Sequence, residues 1–210
     1  MNKLLKPVIS IVILLGIISC GNNSNRANIM GIDIVNAYEF KFGKTPVFNE
    51  YDKFIDEIGL PKTFTAFKDT TEIQSRSQLD SVVTEATKLN TDMLYLNYEG
   101  FVMDYFPDSR IVPVSIDFRK TDKSILFNDV TFDTNFTVKQ FKKLFPMSGA
   151  MPLDSSLGLF RIITKENIPN LEHYIISRES VDVSPFSEDG PTIEFTFENG
   201  KLIYMYFANF

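Results

Sequence analysis

His173 is the only histidine in this 210-residue chain, and Cys20 is the only cysteine. A serine-histidine-carboxylate triad would have to use His173, yet no Gly-x-Ser-x-Gly elbow is present, and Ser148-Gly149 has the wrong flank. One histidine with no cysteine after residue 20 argues against a zinc site of the usual ligands. Carboxylates are plentiful. Asp104, Asp108, Asp117 and Glu194 fall on or beside strand-like segments, where an acid and a base could face each other as in a glycosidase. The plainer expectation puts them on a solvated sheet face. In the run 192–198, Ile193, Phe195 and Phe197 alternate with Glu194, Thr196 and Glu198. Ser187-Glu188-Asp189-Gly190 lacks the alternating oxygen ligands of a calcium loop. Tyr95, Tyr98, Tyr105, Tyr204 and Tyr206 could floor a saccharide site, although Tyr204 and Tyr206 share a strand face with Leu202 and suit packing equally well. No catalytic, cofactor or metal site is assigned from these residues.

Cys20 has the most specific context in the chain. Lys3 and Lys6 form a basic start, Val8 to Ile18 is an almost unbroken apolar run, and Ile17-Ile18-Ser19 precede the cysteine. The run is too short to span a bilayer, which takes about 20 apolar residues for ~30 Å of hydrocarbon. This anatomy resembles a bacterial lipoprotein signal. The resemblance implies cleavage after residue 19, acylation of Cys20, and a polar tether over residues 20–29. Ordinary secretory cleavage at Ser19 is the alternative. A single myristoyl-length chain binds membranes with K of about 10⁴ M⁻¹, so two or three chains would be needed for a stable anchor. Gly21 is not the aspartate of the familiar inner-membrane retention rule, and no acidic run follows, so the resemblance implies an outer-membrane protein facing the periplasm.

Loss of Lys3 and Lys6 with residues 1–19 takes the net charge from −6 to −8. An acidic domain of this kind argues against nucleic-acid binding, whose proteins cluster lysine and arginine. It would not dock electrostatically on anionic lipid either. With no cysteine after residue 20, disulfides cannot staple the fold, and the core must hold it together. Twenty phenylalanines and no tryptophan supply that core.

Ile32 to Phe42 alternates as a strand, or as two strands broken near Asn36. Thr45 and Pro46 read as cap and first residue of a helix carrying Val47, Tyr51, Phe54, Ile55 and Ile58, ended by Gly59 and Pro61. Thr63 to Phe67 reads as a strand. Ser77 to Leu89 reads as a helix with Ser77 and Asp80 as capping pair. Met93 to Tyr98 and Phe101 to Phe106 form a hairpin around Glu99-Gly100, and Pro113 points Ile111 to Phe118 toward an edge or a bulge. Ile125 to Phe132 reads as one strand. Thr137 and Gln140 make a capping box for a helix stopped by Pro146, with a loop at 147–157. Leu159 to Thr164 and His173 to Arg178 are strand candidates, and 183–190 an exposed loop. Asn199-Gly200 gives the strongest hairpin signal, between 192–198 and 201–207.

The order strand, helix, irregular middle, hairpin occurs twice, over residues 30–122 and 123–210. The expected fold is α+β, with antiparallel sheets and a few packed helices, and the repetition raises the option of two tandem units packed together. Asp56-Glu57-Ile58-Gly59-Leu60-Pro61, Leu94-Tyr95-Leu96-Asn97-Tyr98 and Val114-Ser115-Ile116-Asp117-Phe118 resemble the helix, Gly-x-Pro, sheet pattern of small outer-membrane-assembly lipoproteins. Two such units in tandem would be similar to the β-lactamase inhibitor protein layout, whose disulfides and sheet tryptophans are absent here. The expected role is a lipid-anchored, non-enzymatic domain that binds an envelope protein. The alternatives are a carbohydrate-binding lipoprotein and a glycan hydrolase working through paired carboxylates.

Overall fold

Alternation along Thr192–Glu198 and Lys201–Ala208 gives each strand one apolar face, and the turn between them closes at Asn199 and Gly200, both at positive φ (50° and 74°). The computed structural model describes residues 26–27, 32–89, 93–153, 164, 166, 168–178 and 192–208. In chain order its strands are β1 (Arg26–Ala27), β2 (Asp33–Val35), β3 (Phe40–Phe42), β4 (Thr45–Pro46), β5 (Asn49–Glu50), β6 (Thr63–Ala66), β7 (Asp69–Glu72) and β8 (Leu94–Asn97). There follow β9 (Phe101–Tyr105), β10 (Arg110–Asp117), β11 (Ile125–Phe127), β12 (Val130–Phe132), β13 (Leu171–Arg178), β14 (Thr192–Glu198) and β15 (Lys201–Ala208). The helices are α1 (Tyr51–Ile58), α2 (Arg76–Lys88), α3 (Val138–Leu144) and α4 (Pro146–Gly149). The fold is α+β, dominated by sheet.

The large sheet runs β1-β2-β13-β14-β15-β10-β9-β8-β6-β7, with β5 paired to β10 off this path. Its β2–β13 contact is parallel and its other pairings are antiparallel. At its middle, β10 lies beside β15, so the meander β8-β9-β10 meets the meander β13-β14-β15 along their last strands. The small sheet, β12-β11-β3-β4, joins strands from both parts of the chain.

One face of the large sheet carries the core. Phe195, Phe197, Met205 and Phe207 meet Phe40, Phe127 and Phe132 of the small sheet and Phe141 of α3. Ring centroids such as Phe141–Phe195 (5.0 Å) and Phe132–Phe195 (5.3 Å) place these aromatics in direct contact. Each fully buried phenylalanine contributes about 1.5–3 kcal/mol by area, which offsets the absence of any disulfide. Phe54 and Ile55 of α1 and Leu79 and Val83 of α2 extend the same core.

Some local expectations hold, among them the break at Asn36 and the bulge at Pro113, and others are corrected. Ile32 to Phe42 divides at Asn36, whose side chain accepts from the Tyr38 N–H, and its two strands enter different sheets. Thr45 and Pro46 do not open a helix. Gly43, at φ 59°, reverses the chain so that they pair with Phe42 and Lys41. α1 then begins at Tyr51, whose N–H donates to the Ser109 carbonyl (2.8 Å), a contact invisible to local pattern. α2 is capped by Ser75 rather than Ser77, and Asp80 is drawn to Arg76 and Tyr51. Ile125 to Phe132 is a hairpin, turned at Asn128 (φ 53°). Pro113 sits at a bulge of an interior strand, where a missing N–H is tolerated. Pro146 ends α3 and also starts α4, within the segment expected to be loop. β7 was not expected, since Asp-Thr-Thr-Glu has no apolar alternation. Residues 159–163 and 183–190 lie outside the described residues.

Candidate functional site

The face of the large sheet turned away from the core brings side chains together in rows set by register. One row crosses Asn97, Val102, Ser115, Tyr206, Glu194 and Ile175. A second crosses Asp117, Tyr204, Thr196 and His173. A third crosses Thr65, Tyr95 and Asp104. The two ends of this face differ sharply.

At the β13–β14 end the face is sealed. His173 Nδ1 lies 3.1 Å from both Glu194 Oε1 and Thr196 Oγ1, and His173 and Glu194 are 0% and 3% exposed. Leu153 crosses this strand, donating its N–H to the His173 carbonyl (2.8 Å). Leu171, Ile203 and Tyr204 pack into a second apolar cluster on this side. His173 Nε2 is buried with no hydrogen-bond partner among the described residues. Glu194 was expected on a solvated face. It does lie opposite the phenylalanines, but under cover.

Beside this lies an ion cluster. Arg119 donates from Nε to Asp117 Oδ1 (2.8 Å) and from Nη2 to Asp117 Oδ2 (2.7 Å), a two-pronged grip. Its Nη1 donates to Glu166 Oε2 at 2.7 Å, and Lys120 Nζ sits 3.0 Å from Asp117 Oδ2. Burial pushes the Asp117 carboxyl up, but the hydrogen bonds from Arg119 and Lys120 outweigh it and hold the group below the usual carboxylate range. Arg119 likewise holds Glu166 low. These carboxylates are neutralised in place and poorly suited to donate a proton. Asp108 is spent in the same way on Arg110 (2.7 Å), and Asp56 and Asp80 on Arg76 (3.1 and 2.8 Å).

The β8–β9 end is open. Tyr95, Asn97, Val102, Asp104, Ser115 and Tyr206 are all half-buried. Asp104 is the exceptional group. Burial pushes its carboxyl up to about 6, and only the backbone N–H of Tyr105 pulls against that. No cation pairs with it among the described residues. Burial, Asp104 and Tyr206 together raise the Tyr95 phenol. Of the tyrosines singled out in the sequence, Tyr98, Tyr105 and Tyr204 are packing residues. Tyr98 stacks on Phe101 at 4.3 Å and donates its hydroxyl to the Gly59 carbonyl, and Tyr105 meets Tyr51 edge-on.

Four carboxylates singled out in the sequence are therefore dispersed: Asp108 to a turn, Asp117 to an arginine, Glu194 to a histidine, and Asp104 to the open patch. Glu166 was missed. Nothing near it in sequence announces an arginine partner. Among the described residues no group of three or more histidine, cysteine or acidic side chains could hold a metal, and no helix is long and apolar enough to cross a membrane. Cys20 lies outside the described residues. No protein-family model matches the chain, and neither a curated protein nor a solved structure gives a match.

Proposed function

We propose that this chain is a bacterial envelope lipoprotein, anchored through acyl groups on Cys20, whose folded part binds a protein partner at the open face of its sheet and catalyses nothing. Asp104 carries the reading. A half-buried carboxylate without a counter-ion destabilises the free protein, and a lysine or arginine from a partner would supply what is missing. Tyr95, paired opposite it, supplies the aromatic surface that interface centres favour, and Tyr206 lies on the same face, close enough to Tyr95 to raise its phenol. The signal-like residues before Cys20 support the anchor, and Gly21 with no acidic run after it supports an outer-membrane, periplasm-facing location.

The anchor is tested by mass spectrometry of the native protein. The expected species begins at Cys20 with added acyl mass, and Cys20→Ser should release the protein from membranes. Unmodified thiol, or full retention of Cys20→Ser, would contradict it. For the face, affinity-tagged full-length protein and Asp104→Arg are purified from native membranes side by side. A partner that co-purifies with the parent chain should be lost from Asp104→Arg. Equal recovery would contradict the assignment. Tyr95 beside Asp104, with Tyr206 on the same face, also favours a glycan site as second reading. Binding of peptidoglycan fragments that Tyr95→Ala abolishes would select it.

A further inference from the structure

At the far end of the large sheet, three large apolar side chains are exposed, and among the described residues the Phe67 ring carries only the Lys68 ammonium, 5.1 Å from its centroid. Phe67 takes the first position of the two-residue turn joining Ala66 to Asp69, at φ 57°. A bulky side chain is strained there, and glycine or asparagine is the ordinary occupant. Its ring is 62% exposed. The Phe67 N–H donates to the carbonyl of Met93, itself at φ 65° and 59% exposed. Leu89, the residue closing α2, is 72% exposed. Strain held at an exposed apolar residue points to selection for something other than stability.

Phe67 and Leu89 flank a groove of about 440 Å³ between α2 and the β6–β7 hairpin, floored by Phe64, Val82 and Ala86. Its two charged lining residues, Asp69 and Glu85, are both acidic, and neither is ion-paired among the described residues. We infer that this groove docks a segment of another protein presenting an apolar side chain next to a lysine or arginine, the floor taking the first and Asp69 and Glu85 the second. The same acids would repel anionic lipid and, in a symmetric dimer, would face their own copies. The groove also stands apart from the chain's entry. β1 and β7 end the sheet at opposite sides, nine strand spacings or on the order of 43 Å apart. This surface is separate from the open face around Asp104, so either assignment can fail without the other.

The test uses the full chain in nanodiscs, panned against a random phage-displayed peptide library. Enriched peptides should combine an aromatic or aliphatic residue with a neighbouring lysine or arginine. The best synthetic peptide should bind at least about tenfold more weakly to Leu89→Asp and to Phe67→Gly. Phe67→Gly should show no drop in Tm, because glycine relieves the turn, which separates lost docking from lost folding. Asp69→Asn with Glu85→Gln should weaken binding and flatten its salt dependence, while Asp104→Arg should leave it unchanged. No enriched peptide, enriched peptides without a cation, or undiminished binding to Phe67→Gly would overturn the proposal. So would self-association abolished by Leu89→Asp, or binding of the groove to phosphatidylglycerol vesicles.

Discussion

Asp104 and Asp117 lie on the same face of neighbouring strands and are perturbed in opposite directions. Both are desolvated; Asp117 has Arg119 and Lys120 to answer, and Asp104 has one backbone N–H. The consequences for stability have opposite sign. Asp104 binds its proton more tightly when folded, so its penalty is fully present above about pH 6 and vanishes below about pH 4, the unfolded carboxylate value. Asp104→Asn should therefore stabilise the protein by about 1 kcal/mol at neutral pH, after allowance for solvent screening, with no gain in acid. Denaturant titrations of both proteins across pH check this. Asp117 and Glu166 contribute stability above the ordinary carboxylate range, and it is lost as pH falls through their depressed values. Arg119→Leu should cost about 2 kcal/mol at neutral pH, since it leaves a buried carboxylate with only Lys120 to answer it, and much less in acid where both partners are protonated. Little of this was legible in the sequence. The residue types were visible, but Arg119 and Glu166 are 47 positions apart and His173 and Glu194 are 21. Which carboxylate keeps a partner depends on register across strands, and alternation alone does not set register.

Elements were legible where their signals are local. The α3 capping box forms as expected, with Thr137 and Gln140 exchanging bonds (Gln140 N to Thr137 Oγ1, 3.3 Å; Thr137 N to Gln140 Oε1, 2.8 Å). Thr137→Ala should cost about 1 kcal/mol in thermal or denaturant unfolding. The Asn199-Gly200 hairpin and the Gly59 stop of α1 are local in the same sense. The starts of α1 and α2 were misplaced because neighbours in space decide them. Arg76 bonds Asp80, also reaches Asp52 and Asp56, and lies over the Tyr51 ring at 5.1 Å, tying α2 to α1 and leaving capping to Ser75. Ser75→Ala should thus lose about 1 kcal/mol, whereas Ser77→Ala, inside the helix, should be neutral or slightly stabilising. The reverse ranking in the same unfolding assay would restore the cap to Ser77.

At the scale of the molecule, the two parts of the chain share their sheets. β3 pairs with β11, β2 with β13 and β10 with β15, and one aromatic core serves them all. A fragment of residues 123–210 would leave β15 and β11 without those neighbours, so it should show no cooperative unfolding transition and should bind hydrophobic dyes. A sharp transition for the fragment would show that its half folds alone. The same architecture covers one sheet face with helices and the small sheet while leaving the β8–β9 part of the other face open, and that asymmetry underlies the proposed partner surface. Photo-crosslinking in native cells tests it most directly. p-Benzoylphenylalanine is placed at position 102, in the open patch, and at position 139, on α3. A discrete crosslinked protein is expected from position 102, disappearing in the Asp104→Arg background, with none from position 139. Crosslinks from position 139 alone, or from neither position while the protein is folded and membrane-bound, would contradict it.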